Sequence, residues 1–297
     1  MSATLLERAP AKINLTLRVV GRRADSYHEI ESLVAFADVA DTVTLEAGGE
    51  ETLEITGPFA RESGVVADNL VLKALAAAHG QIAGLKAGRF FLEKNIPVAA
   101  GLGGGSADAA AALRLLACTN GIALDDPRVM LTARAVGADV PVCVELRPRI
   151  MRGVGEVLSR PVDLPSLPAV LVNPRVRLAT RDVFSKFARA QSGEDLVDVP
   201  REFAPLIEFL KLHENDLTAA ACACAPVVGE VLEALHALPG ARLARMSGSG
   251  PTCFALFATQ NEAAKAAQRL TDERKDWWVR PATIGPVLVK AENELRA

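Results

Sequence analysis

Residues Pro97–Ala110 read PVAAGLGGGSADAA, four glycines and a serine around Leu102 with an alanine-rich segment directly behind them. A glycine cluster that opens a helix curls tightly, bares its backbone N–H groups and sits at the positive end of the helix dipole. Such a loop can hold an anion without a cationic side chain. Gly101, Gly103, Gly104 and Gly105 supply the curl, Ser106 stands at the expected N-cap, and the spacing predicts a helix over about 106–118. The Walker pattern fails, because no lysine follows the glycines. The dinucleotide pattern G-x-G-x-x-G, started at Gly101, meets Ser106 where its third glycine belongs. Asp125 lies at about the distance of a ribose acid, but Asp125–Asp126–Pro127 reads better as a helix start. The loop also follows a long β-rich stretch, not a first βα unit. Taken alone, it is either a phosphate cradle or a glycine-rich turn before a close-packed helix.

Upstream, residues 9–20 alternate as a strand, with Lys12, Asn14 and Thr16 on one face and Ile13, Leu15 and Leu17 on the other. Short β-type runs are expected near 41–47 and 51–56, a helix over 68–79, and a strand at AGRFFLEKNIPV before the loop. Downstream, DDPRVMLTARAVG predicts a helix ending at Gly137, and ADVPVCVEL and IMRGVGEVL read as paired strands. Strands, then a glycine loop and helices, indicate α+β. The proline-rich SRPVDLPSLP at 159–168 is the expected linker, which divides the chain into residues 1–160 and 161–297. Beyond it, strand, helices, hairpin, a helix near 261–274 and a strand near 277–284 fit a ferredoxin-like sheet.

Composition bounds the function. Half of the 297 residues are hydrophobic and 23% are charged, as in a folded, core-forming chain. A net charge of -3 offers no basic footprint, so no nucleic-acid partner is expected. No apolar run has membrane-span length, and Glu7, Arg8 and Lys12 interrupt the place of a signal segment. A soluble, cytoplasmic, non-membrane protein is the expectation. The five cysteines mostly sit among alanines and valines and read as small hydrophobes; Cys222 and Cys224 lack CxxC spacing, and the four histidines lack metal-ligand spacing. No structural metal is expected.

PAKINL at 10–15, the glycine loop at 97–110 and MSGSGPTCFALF at 246–257, taken together, resemble the GHMP kinase superfamily, which includes kinases of galactose, homoserine and mevalonate. PAKINLTLRVVGRRADSYHEIESL (10–33), GADVPVCV (137–144), RGVGEVL (152–158) and ENDL (214–217) are most similar to the branch whose acceptor is a cytidine-diphosphate-linked methylerythritol, in the non-mevalonate route to isoprenoids. The resemblance spans essentially the whole chain. It implies a two-domain α+β fold: an N-terminal ATP-binding domain like the second domain of ribosomal protein S5, a C-terminal ferredoxin-like substrate domain, and a site in the cleft between them. It also implies phosphoryl transfer from ATP, with Mg²⁺ brought by the nucleotide, to a hydroxyl of a small cytidine-diphosphate substrate. A monomer or weak homodimer is expected.

Such a reaction needs a triphosphate cradle, a base, a cation and an acceptor pocket. By resemblance the base is Asp139 and the cation Lys12. Read from the residues alone, Asp139 is otherwise a capping aspartate, and Lys12 otherwise a lysine that snorkels to solvent. The resemblance assigns ATP to Pro97, Val98, Ala99, Ala100, Gly101, Leu102, Gly103, Gly104, Gly105, Ser106 and Ala107, with Lys94 and Asn69 toward adenine. Ser106 also suits phosphate or Mg²⁺. The acceptor falls to Asn14, Tyr27, His28, Thr180, Phe184 and the turn Ser247–Gly248–Ser249–Gly250. There His28 bonds the base edge while Tyr27 and Phe184 supply contact surface. Two residues depart from the family pattern: Ser26 replaces a usual glycine, and Pro251 a usual small residue. Another GHMP kinase with a different alcohol, a catalytically dead relative and a dinucleotide oxidoreductase are the rival readings. Tyr27–His28 with Phe184 argues against the first, and retention of Lys12 and Asp139 against the second.

Overall fold

The computed structural model describes residues 4–25, 27–188 and 195–286; Ser26 and residues 189–194 lie outside them. In the first half, strands β1 (Thr4–Asn14), β2 (Arg18–Arg22) and β3 (His28–Thr56) precede helix α1 (Leu70–Gln81), β4 (Gly88–Glu93), helices α2 (Gly104–Thr119), α3 (Pro127–Val136) and α4 (Val140–Glu145), and the strands β5 (Arg149–Gly153) and β6 (Val157–Leu158). β3 is the organising strand and pairs with β1, β2, β4 and β5. It reverses at Gly48 and Gly49, whose φ values of 91° and 76° suit glycine. Its two runs, Thr42–Ala47 and Leu53–Thr56, both register against β4. They are the two short strands expected from the sequence, joined in one element.

The second half contains β7 (Leu167–Asn173), α5 (Thr180–Lys186), α6 (Phe203–Leu212), α7 (Thr218–Cys224), α8 (Val227–His236), β8 (Leu243–Met246), β9 (Cys253–Leu256), α9 (Gln260–Glu273) and β10 (Trp278–Gly285). Its strands lie in the order β10-β7-β9-β8 and pair antiparallel, the split βαβ arrangement of a ferredoxin-like sheet. β10 then pairs with β3 at Ile284↔Ala37 and Gly285↔Phe36, so the strands of both halves form one ten-stranded sheet.

α1–α4 cover the first-half strands, and α2 is buried on every side, from Ala107 to Ala117. Even its Arg114 is buried, where it pairs with Glu7 at 2.9 Å and donates to the Cys143 and Arg8 carbonyls. α7, α8 and α9 pack with β7–β9 in a second cluster. A third joins the halves and contains Ile13, Leu33, Ile96, Leu171, Phe254 and Ile284.

Two local expectations are corrected. Residues 138–146 do not form a strand: Val140–Glu145 is helical, with Pro141 in its first turn, and Val140, Val142 and Val144 enter the core among α2 and α3. Burial there overrides the β-preference of a valine-rich run. Ser106 is not the N-cap of α2. Gly103, at φ 60°, holds that place, and Ser106 is the third residue inside the helix. Asn69 and Asp126 do cap their helices, accepting from Val71 N and Arg128 N. Of the cysteines, Cys143 and Cys253 are buried, Cys118 is exposed, and Cys222 and Cys224 are half-buried.

Candidate active site in the cleft

Three distant segments meet where β1 ends. The Lys12 backbone N–H donates to the Leu102 carbonyl at 2.8 Å, which ties the β1 bulge near Pro10 and Lys12 to the glycine loop. Ser247, in the turn between β8 and β9, makes the other tie. Its buried hydroxyl accepts from Asn14 N–H at 3.1 Å and donates to the Gly101 carbonyl at 2.9 Å. Contact at Gly101 is close enough to forbid a side chain, since a Cβ there would lie 2.4 Å from the Ser247 carbonyl oxygen, and a Cβ on Gly103 would press on Lys12 carbons at 3.2 Å. Asn215, from the ENDL segment, donates to the Met246 and Gly248 carbonyls at 2.8 Å and holds the Ser247–Gly250 turn. Pro251 follows that turn through a cis peptide.

These segments enclose a cavity of about 1140 Å³. Lys12 enters it from β1, and its ammonium lies 2.8 Å from Asp139 Oδ2; the lysine side chain is 6% exposed and the aspartate 34%. Lys12 therefore does not snorkel to solvent. Asp139 sits at the start of α4, but its side chain makes no capping bond, so the turn-aspartate reading does not account for it. Gly101, Gly103, Gly104, Gly105 and Ser106 line the floor beside the pair.

Asn14 donates to Ser32 Oγ at 2.7 Å, and its buried Oδ1 has no partner among the described residues. Ser32 is in turn fixed by the Thr16 carbonyl. Across the cleft, the Thr180 and Ser249 hydroxyls are 2.9 Å apart. His28 stacks on Phe184, with ring centroids 4.8 Å apart and planes 24° apart, so that face of Phe184 is covered while the pair stands. Burial, and secondarily the charge of Arg22, lower the His28 pKa and favour neutral imidazole. Tyr27 is 65% exposed at the rim.

Other expected site residues stand back from the cavity. Lys94 is buried and shared between Asp41 and Asp108, 2.7 Å from the latter, and Asn69 serves as the α1 cap. Leu102 and Ala107 are core residues; Ser247 supports the floor from behind, and Pro97, Val98 and Gly250 are not among the lining residues. Ala99, Ala100, Gly248, Thr180 and Phe184 do line it. Sequence reasoning missed Arg22, Asp25, Arg181 and Phe187, which also line the cavity. Arg22 and Asp25 flank a motif that had been singled out, whereas nothing local marks Phe187. Among the described residues no group of three or more His, Cys, Asp or Glu is placed to hold a metal, and no helix is long and apolar enough to cross a membrane.

Comparison with known proteins agrees with this fold. The family models GHMP kinases N terminal domain and GHMP kinases C terminal match residues 69–145 and 200–276. The 4-diphosphocytidyl-2-C-methyl-D-erythritol kinase of Rhodopseudomonas palustris strain BisB18 is 53% identical over 293 residues, 95% of either chain. A crystal structure of 4-(cytidine 5'-diphospho)-2C-methyl-D-erythritol kinase superposes with a TM-score of 0.77 at 35% identity, covering 94% of this chain and 99% of that one. Homoserine kinase from Cytophaga hutchinsonii shares the fold, with a TM-score of 0.68 at 19% identity over 98% of each chain.

Proposed function

Because the chain belongs to the GHMP kinases, and within them to the 4-diphosphocytidyl-2-C-methyl-D-erythritol kinases, we propose that its cavity joins ATP to a cytidine-diphosphate-linked methylerythritol and phosphorylates the 2-hydroxyl of the acceptor. The enzyme class is that of its relatives, ATP-dependent phosphotransferases. The observation that carries the proposal is the Lys12–Asp139 pair, which opens onto the same cavity as the glycine loop and the His28–Phe184 rings.

Asp139 is the group that takes up or orients the acceptor proton as the hydroxyl oxygen attacks the γ-phosphorus. Lys12, held to the same carboxylate, supplies positive charge where the alkoxide-like oxygen develops. The backbone N–H groups of Gly103–Ser106 face the triphosphate from the positive end of α2. Mg²⁺ fits here as a nucleotide-borne ion. Ser106 is the one hydroxyl of the loop and makes no hydrogen bond with a described residue, so it would join the phosphates as a ligand, and the ion would offset their charge. On the acceptor side, Asn14 Oδ1 is a buried acceptor awaiting a donor, a role a sugar-like hydroxyl fills. Thr180 and Ser249 offer hydroxyls to the diphosphate, with Gly248 beside them. His28 bonds the edge of the base, and Tyr27 and Phe184 supply contact surface.

ADP release, measured with ATP, Mg²⁺ and a panel of alcohols, tests the proposal. The cytidylated methylerythritol should be the efficient acceptor, and ³¹P NMR should show one new phosphomonoester. Equal or better turnover of homoserine, mevalonate or galactose would overturn the acceptor assignment.

A further inference from the structure

We infer that Phe187 is a positioning residue for base recognition, its ring acting as the stop that holds the His28 imidazole in register with the nucleobase edge. The inference rests on the cytidine reading of the cavity. Phe187 follows the last turn of α5 and lines the cavity, and its ring meets His28 at 87°, with centroids 6.1 Å apart. Phe184 lies against the face of the same imidazole. No hydrogen bond among the described residues orients His28, so these two ring contacts do.

They act differently. A stacked partner fixes the plane of the imidazole but lets it slide across the partner's face, whereas a perpendicular ring blocks the slide. The imidazole is also kept neutral by burial and by Arg22, so one nitrogen donates and the other accepts. A cytosine edge presents an amino donor beside a ring-nitrogen acceptor, and because the two imidazole nitrogens point in different directions, the one that faces this edge meets its partner only if the ring holds its position. In a chain with 4% aromatic residues, a second phenylalanine three positions after Phe184 therefore has a specific task.

The test compares Phe187→Leu, Phe187→Tyr and His28→Ala in the full-length enzyme, by steady-state kinetics and by the ¹H NMR titration of the His28 ring, assigned through its loss in His28→Ala. Phe187→Leu should raise the acceptor KM about three- to tenfold, the scale of one aromatic contact, and leave kcat and the ATP KM near wild type. The His28 midpoint should move up as burial is lost, and Phe187→Tyr, which keeps the ring, should behave as wild type. In a His28→Ala background the leucine substitution should add nothing, because its effect runs through the imidazole. An unchanged acceptor KM in Phe187→Leu, while His28→Ala weakens the acceptor, overturns the inference and leaves the cytidine reading intact. A His28→Ala single variant that leaves the acceptor KM at the wild-type value removes the cytidine reading, and this inference with it.

Discussion

Asp139 occupies a helix start yet spends its carboxylate on Lys12, 127 residues away in sequence. Asp139→Asn keeps the shape and removes the charge. It should lower kcat about a thousandfold, within the usual range for a lost proton acceptor, with ATP affinity by calorimetry nearly unchanged; wild-type turnover would remove Asp139 as the base. Asp108 poses a different electrostatic case beneath the glycine loop. It is wholly buried, one oxygen has no partner among the described residues, and its carboxyl is pushed up to about 8, chiefly by lost hydration, with Lys94 opposing and Asp41 adding to the rise. The unfolded chain loses this proton near the ordinary aspartate value and the folded chain near 8. The folded state therefore binds the extra proton in between, and stability that is complete at low pH is lost as pH rises through about 8. Melting temperatures from about pH 6 to pH 9 should fall more steeply for the wild type than for Asp108→Asn, and parallel curves would refute the assignment.

Among the elements, the glycine loop was the most legible. Its tight curl into the start of α2 follows from residue types alone, and Gly101 shows why no substitute fits: φ is 72° and the Ser247 carbonyl lies where a Cβ would go. Gly101→Ala should displace the loop and cost about a hundredfold in kcat/KM for ATP, the scale of a misplaced reacting group; a near-normal value would mean the loop is not the triphosphate site. The split βαβ order and most helices were legible from periodicity and caps. α4 was not, because VPVCVE has the composition of a strand and is helical only through its packing with α2 and α3. Ser106 was placed three residues wrong because a serine at a glycine-to-helix junction resembles an N-cap, while Gly103 reaches the left-handed region more cheaply. The Lys94 side chain stands back from the cavity for a similar reason. A charged strand end looks solvent-facing in sequence, and only the fold brings Asp41 and Asp108 around it.

At the scale of the molecule, the halves share both a sheet and a core. β10 pairs with β7 over seven residues and touches β3 at two, and the central cluster draws Ile13, Leu33 and Ile96 from one half and Leu171, Phe254 and Ile284 from the other. A calorimetric scan should therefore give a single transition with matching calorimetric and van't Hoff enthalpies; two resolved peaks would mean that the halves unfold separately. The Ser247 hydroxyl concentrates this sharing in one group, since it bonds Asn14 from the first motif and Gly101 from the second while belonging to the third. In evolutionary terms the three motifs are one locus of epistasis: a change tolerated in any of them depends on what the other two already are. Recombined chains that take their first, second and third motifs from different relatives should fail more often than their sequence identity suggests, and exchanging all three together should restore them.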